Sequence, residues 1–324
     1  MNTNFYKSYV NNIASTLNEA ERKRNILKGF ESNFIGESDQ YPIIKKATTE
    51  ELFNSLSGLS AISGYDAKYH ESPGLHPDYS HLKGTDNKVC GNITSMFIDI
   101  KNSTGLFLRY DPETVENITK TIQLAALHTC WYFDGYIQRF HGDGLLAYFG
   151  RKSGSQTPSL DAINAASLFT YFVKYDLPGL FEESGIEKIY TRIGIDRGVK
   201  DEDVLWHSAG TGSCSEVTTC SLHTSLAAKM QNHANSNGIM VGDNVKNTSR
   251  IEDNLFSIKE GYRYIFRNPD EGFNYTQWVF NWVDHIKSFT SSEGRQAVFA
   301  SNTKNIQYLK EQTSNYKPYF NGRT

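Results

Sequence analysis

Two periods of apolar residues alternate along the middle of the chain. In GNITSMFIDIKNST (91–104) β-forming residues dominate up to Asp99 and a Lys-Asn-Ser-Thr cluster, which predicts a strand ending there. Val115, Ile118, Ile122, Ala125 and Thr129 then recur at three- and four-residue spacing, so a helix is predicted, with Gly135 beyond its end. YIQRFHGDGLLAYFG (136–150) reads as a hairpin, and SLDAINAASLFTYFVKYDLPG as a second helix stopped by Pro178-Gly179. KIYTRIGIDRG and VLWHSAGTG read as strands, LHTSLAAKMQNHANSNG as a third helix closed by Gly238, and IMVG as a short strand. Strand, helix, hairpin, helix, strand, with further units appended, predicts an α+β fold. It is a ferredoxin-like, mainly antiparallel sheet with helices on one face.

The ends of the chain read differently. Residues 1 to about 34 are polar and loosely amphipathic, with Leu17, Ala20, Ile26, Leu27 and Phe30 as the apolar positions of a helical stretch; EAERKR is its solvated face. Residues 35–88 are rich in Gly, Pro, Ser and Asp, the composition of a linker. This divides the chain into a helical N-terminal region with linker (1–88), a catalytic domain (89–285) and a C-terminal extension (286–324). His70, His76 and His81 fall in the linker without ligand spacing, so no metal is expected there.

Composition narrows the class. A hydrophobic fraction of 38% in 324 residues fits a folded chain, and a net charge of −3 gives no basic field for nucleic acid. The start lacks a signal-peptide pattern and no run approaches the ~18 apolar residues of a membrane span, so a cytoplasmic protein without membrane contact is expected. Cys90, Cys130, Cys214 and Cys220 show no C-x-x-C pairing, which argues against a zinc knuckle or a disulfide framework; Cys214 and Cys220 read as buried or inert thiols. His128 and Trp131 read as core-facing on their helix.

Asp143, between two glycines, is the residue that asks for an explanation. Asp-Gly is a strong hairpin signal because both residues tolerate positive φ, which would suffice on its own. The predicted strand order, however, lays the first strand beside the hairpin, so Asp99 faces Asp143 at one edge. Two carboxylates a few ångströms apart repel unless a divalent cation lies between them. Such a pair can hold two ions about 4 Å apart, one activating an attacking hydroxyl and one gripping phosphate oxygens. Ser103 and Thr104, with backbone N–H groups after Asp99, suit a phosphate. The plainer role for Asp99 is a helix cap or a strand end; the pairing favours metal. His141 is either simply exposed or in reach of a phosphate.

FIDIKNSTGLF and RFHGDGLLAYFG, followed by TRIGIDRG and TSLAAKM, together resemble the class III nucleotide cyclase catalytic domain over about residues 90–250. The resemblance implies a head-to-tail homodimer with two Mg2+ or Mn2+ ions per site. One subunit supplies the metal-binding residues Asp99, Ile100 and Asp143, and the other supplies the base-recognition and transition-state residues. Arg139 stands where purine cyclases often carry a base-reading lysine, and that lysine's partner acid aligns with Thr218. The transition-state asparagine and arginine align with Ser225 and Lys229; lysine keeps the charge but loses the two-pronged grip. A late phosphate-binding lysine has no clear counterpart in GYRYIFRNPDEGFNYTQWVF.

A kept metal half beside a rewritten base half is similar to the bacterial pyrimidine cyclases of the Pycsar anti-phage systems. That resemblance implies conversion of UTP or CTP to the 3′,5′-cyclic monophosphate and pyrophosphate, the product activating a separate effector. UTP is slightly favoured, because an arginine's donors suit uracil O4. The substrate-binding residues would be Arg139, Thr218, Ser103 and Thr104, with Lys229 and Ser225 catalytic. The competing readings are an adenylate or guanylate cyclase with unusual purine contacts, and a degenerate cyclase-like binding module; retention of both acids argues against the latter.

Overall fold

The strand-forming runs assemble into two sheets in the computed structural model, which describes residues 72–152, 157–178, 181, 185–259, 265–268 and 273–290. In chain order the elements are β1 (Lys88–Gly91), β2 (Ile93–Ile100), α1 (Pro112–Tyr132), β3 (Gly135–His141), β4 (Gly144–Phe149) and α2 (Pro158–Tyr171). There follow β5 (Thr191–Gly198), β6 (Val204–Thr211), β7 (Cys214–Cys220), α3 (Leu222–His233), β8 (Gly238–Gly242) and α4 (Asp243–Thr248). β9 (Phe256–Ile258), β10 (Ile265–Asn268), β11 (Phe273–Phe280) and α5 (Trp282–Thr290) complete the described chain. The larger sheet runs β10-β11-β8-β5-β2-β4-β3 with β9 on β11, and the smaller runs β1-β6-β7. Pairing is antiparallel throughout except between β5 and β8. The α+β class and the antiparallel-rich sheet are as the periodicities predict.

The two faces of β2 and β5 do different work. Met96, Ile98, Ile100, Ile193 and Ile195 enter the main core, against Val115, Ile118 and Ile122 of α1 and Ala162, Ile163 and Phe169 of α2. The alternate residues face α3. Ser95 Oγ lies 2.9 Å from Thr224 Oγ1, and a Cβ on Gly194 would come within 2.2 Å of the Ala227 carbonyl and the Gln231 nitrogen. The helices therefore cover both faces of the sheet, not one. α3 closes a separate small core of Leu226, Met230, Ala234, Met240 and Tyr275. A helix's own periodicity says that it has an apolar stripe, and nothing about which face of a sheet receives it.

The Pro- and Gly-rich stretch read as linker is folded from residue 72 onward. Pro77–Leu82 forms a 3₁₀ turn with Tyr79 and Leu82 buried. Tyr79 stacks on Trp206 at 4.1 Å between centroids. His76 is fully buried beside Tyr79, Tyr136, Tyr148 and Trp206, and that burial pushes its pKa down to about 4, keeping the ring neutral. Turn residues and linker residues have one composition; the difference is made by Tyr79 and Leu82, which have a core to enter.

Residues 1–71 and 291–324, which hold the N-terminal helical stretch, His70 and most of the C-terminal extension, lie outside the described residues. His128 is buried and Trp131 packs against the core as expected, whereas Cys214 and Cys220 are exposed. Among the described residues no helix is long and apolar enough to cross a membrane.

Gly194→Val should disturb the seat of α3 directly, since its new side chain meets backbone rather than a movable side chain. Overpacking of this kind costs roughly 1–3 kcal/mol or more. Chemical denaturation should show a midpoint lowered accordingly, and an unchanged midpoint would mean that α3 is not held against β5.

Candidate active site

Asp99 and Asp143 are brought together by strand register. β2 and β4 pair with Ile98 opposite Leu145, and β3 and β4 close with His141 opposite Gly144, so the two-residue turn is Gly142-Asp143. Gly142 has φ +57° and Asp143 does not adopt positive φ. Glycine in the left-handed region at the first turn position is the pattern of a type II′ turn. Positive φ at an Asp-Gly pair, the conformational explanation of Asp143, is therefore not what is found, and the turn leaves the acid unaccounted for. Gly144 has another reason to lack a side chain: a Cβ there would lie 2.4 Å from the Ile98 carbonyl oxygen. From α1, Gln123 Nε2 donates to the carbonyls of Gly142 at 2.9 Å and Gly144 at 3.2 Å, fixing the turn.

The carboxylates sit in unequal surroundings. Asp99 Oδ2 accepts from Arg192 Nη2 at 2.7 Å and from Gln231 Nε2 at 2.9 Å. Asp143 is raised above the usual carboxylate range, first by burial and then by the negative charge of Asp99, with a hydrogen bond from the Ser103 hydroxyl opposing. Its Oδ2 is buried and finds no hydrogen-bond partner among the described residues. An unpartnered buried carboxylate oxygen beside a second carboxylate is the donor set a hard divalent cation takes. Ile100 buries its side chain in the core, so only its backbone carbonyl could join such a site. Among the described residues no three of His, Cys, Asp and Glu gather. A cation held here would complete its shell with backbone, water and substrate oxygens, as Mg2+ commonly does.

Of the hydroxyls expected to cradle a phosphate, Ser103 reaches Asp143 and Thr104 is exposed. His141 is exposed, edge-on to Phe97 at 5.8 Å.

Ser225 and Lys229 are exposed on α3, one turn apart, and Ser225 Oγ donates back to the Ser221 carbonyl. Gln231, which touches Asp99, lies about 200° round the helix from Lys229. The chain's own fold thus brings Asp99 and Asp143 together and turns Ser225 and Lys229 away from them. The first turn of α3 is fixed from below: His223 Nδ1 meets Asp196 Oδ2 at 2.9 Å, and the Tyr275 hydroxyl donates to Asp196 Oδ1 at 2.5 Å.

Arg139 follows a bulge in β3 and pairs with Glu216, which lies two residues before Thr218 on the same face of β7. Sequence reading missed Arg192, Gln231 and Glu216. Arg192 carried a signal, because antiparallel pairing of TRIGIDRG with FIDIK sets it opposite Asp99. Gln231 and Glu216 carried none, since their contacts join elements whose packing the sequence does not state.

No family model matches the chain. Over 231 residues it is 38% identical to a Staphylococcus aureus protein named cytidylate cyclase, an alignment spanning 68% of this chain and 54% of that one. Over 271 residues it is 32% identical to an Escherichia coli protein of the same name, spanning 79% and 58%. The chain spans a little over half the length of these curated relatives. Among solved structures it is similar to the guanylyl cyclase Cya2, with a TM-score of 0.50 and 15% identity over 60% of this chain and 93% of that one. It is similar also to the adenylyl cyclase CyaB from P. aeruginosa, with a TM-score of 0.51 and 15% identity over 60% and 95%. The fold is thus the one implied by the sequence resemblance to nucleotide cyclase domains.

A carboxyl raised by folding stabilises the fold while protonated. That contribution is present below its ordinary value of 3.8 and is lost as pH rises through the raised folded value. Burial and the neighbouring Asp99 charge thus make ionisation of Asp143 a cost to the metal-free fold. Asp143→Asn should raise the metal-free melting temperature at pH 7, while Mn2+ should raise the wild type's more than the variant's. Equal Mn2+ responses in calorimetry would remove Asp143 from the cation site.

Proposed function

We propose that this chain is the catalytic part of a pyrimidine nucleotide cyclase, forming a 3′,5′-cyclic nucleoside monophosphate and pyrophosphate from the triphosphate. The observation that carries the reading is the Asp99–Asp143 pair at the end of β2, with Asp143 Oδ2 buried and unpartnered. The cyclase fold and the name shared by relatives at 32–38% identity support it. As a messenger synthase, its product would act through a separate effector in defence against phage, in the cytoplasm.

Asp99, the Ile100 carbonyl and Asp143 would hold the ions. Two bound Mg2+ or Mn2+ ions supply a lowered pKa for the ribose 3′-hydroxyl and charge neutralisation at the α-phosphate. Arg192 and Gln231 hold Asp99 through Oδ2, so both bonds leave Oδ1 for a cation. Ser103 and Thr104 offer hydroxyls to the phosphates. Lys229 and Ser225 face away from the acids of their own chain, which fits a head-to-tail homodimer in which they serve the partner's site. There Lys229 would oppose the charge that grows on the migrating phosphoryl group, and Ser225 would orient the ribose. Arg139 and Thr218 would meet the base. Arg139 taken alone leans toward UTP; its engagement by Glu216, together with the relatives' name, shifts our reading to CTP.

Purified protein given ATP, GTP, CTP and UTP with Mn2+ should release pyrophosphate chiefly from the pyrimidines; a clear purine preference would overturn the reading. Asp99→Ala and Lys229→Ala should each lose at least about 10²-fold in turnover, since each removes charge where the transition state needs it. Mixed in equal amounts, the two variants should recover about a quarter of wild-type activity, from heterodimers with one intact site of two. No recovery despite demonstrated subunit exchange would dismiss the shared site.

A further inference from the structure

Arg139 and Glu216 face one another between β3 and β7. Arg139 Nε donates to Glu216 Oε2 at 3.2 Å, and Nη2 pairs with Oε1 of the same carboxylate. A surface ion pair of this sort usually contributes about 0–1 kcal/mol and asks for no purpose. This one is held by its surroundings. Gln138, buried at the bulge, donates through Nε2 to the Val217 carbonyl at 2.8 Å, tying the strands together one residue from each partner. Val217 N donates to the Gly74 carbonyl at 2.7 Å. A Cβ on Gly74 would lie 3.1 Å from Glu216 Cβ, so this backbone walls the glutamate on its far side. That segment is in turn pinned to β3: Leu75 N donates to the Tyr136 hydroxyl, which donates to the Ser72 carbonyl, both at 2.6 Å. The Glu216 side chain is left 27% exposed, against 52% for Arg139. Thr218 shares its face of β7.

We propose that Glu216 selects cytosine over uracil, its carboxylate accepting from the exocyclic amino group while Arg139 and Thr218 donate to the ring acceptors. The inference rests on the cyclase reading above. A carboxylate offers about four lone-pair sites and a guanidinium five N–H groups; their mutual pairing uses two of each, so both keep capacity for a base. Cytosine presents an amino donor and two acceptors, N3 and O2. Uracil presents O4 where the amino group was, and N3–H in place of N3. A fixed carboxylate against O4 sets two acceptors in contact with no proton between them, and a site of that kind rejects the wrong ligand strongly. Acceptance from cytosine N4 by a glutamate is also the pairing found when side chains read bases in nucleic acids. Because Arg139 already spends donors on Glu216, its preference for O4 no longer decides the choice.

The test is steady-state cyclisation of CTP and UTP, separately and in competition, by wild type, Glu216→Gln and Glu216→Ala, with melting temperatures as the control for folding. Wild type should prefer CTP. In Glu216→Gln the ratio of kcat/KM for CTP to that for UTP should fall about 10- to 100-fold. UTP use should rise in absolute terms, because an amide can turn its N–H toward O4. Glu216→Ala should lose CTP preference without that gain. A wild type that prefers UTP, an unchanged ratio in Glu216→Gln, or an equal loss on both nucleotides at an unaltered melting temperature would each overturn the role of Glu216 while leaving a pyrimidine cyclase. A wild type that cyclises only purines would overturn the cyclase's substrate reading itself, and this inference with it.

Discussion

Two like charges held close at the end of adjacent strands are the constraint around which the described fold is arranged. Asp99 and Asp143 stand together because β2 and β4 pair in one register, and a slip of one residue would send Asp99 to the core face. Each is then served separately. Arg192 neutralises Asp99 and Gln231 helps to orient it; the Ser103 hydroxyl and the backbone N–H of Asp143 offer that acid compensating bonds, yet burial and repulsion leave it raised. The glycines follow from the same geometry: Gly142 supplies the left-handed turn position and Gly144 the room for the Ile98 carbonyl. A site poised this way is less stable empty than a neutral one would be. Its poor electrostatics are the reason a cation would bind.

Gln231 gives that constraint a longer reach. It belongs to α3, whose opposite face carries Ser225 and Lys229, and α3 is seated so closely on Gly194 that the helix cannot shift without moving Gln231. The Asp196–His223–Tyr275 contacts fix the start of the same helix. One rigid element therefore touches Asp99 of its own chain on one side and presents a cation on the other. In the homodimer we propose, this would fix the spacing of the two halves of each site through packing rather than through flexible side chains.

Much of this was legible in the sequence because it depends on period. β-forming residues marked β2 and alternation β5, three- and four-residue spacing marked α1, Pro178-Gly179 and Gly238 marked the ends of the next two helical segments, and the strand order alone set Asp99 beside Asp143. What was not legible depends on which surface meets which. Gly194 was the one trace of where α3 sits, and a lone glycine in a strand signals close approach without naming the neighbour. The segment from residue 72 had a loop's composition, and only the fit of Tyr79 against Trp206 makes it part of the body. Arg139 was noticed for standing where purine cyclases often carry a base-reading lysine, but its partner on β7 depends on a bulge in β3 and on how the two sheets pack.

The two halves of the candidate site differ in what would be needed to change them. The acid half is written into backbone: a register, a type II′ turn, a glycine under a carbonyl, an arginine directly across a strand pair. Altering any of these disturbs the sheet. The base half we propose consists of side chains on partly exposed faces, Arg139 on β3 with Glu216 and Thr218 on β7, where substitution leaves the hydrogen-bond ladder untouched. Surface substitutions of that kind usually cost within about 0.5 kcal/mol of stability. A fold built like this can keep its acid pair constant while the side chains proposed to meet the base are rewritten, and the sequence departs from the purine-cyclase pattern at those positions, not in the acids.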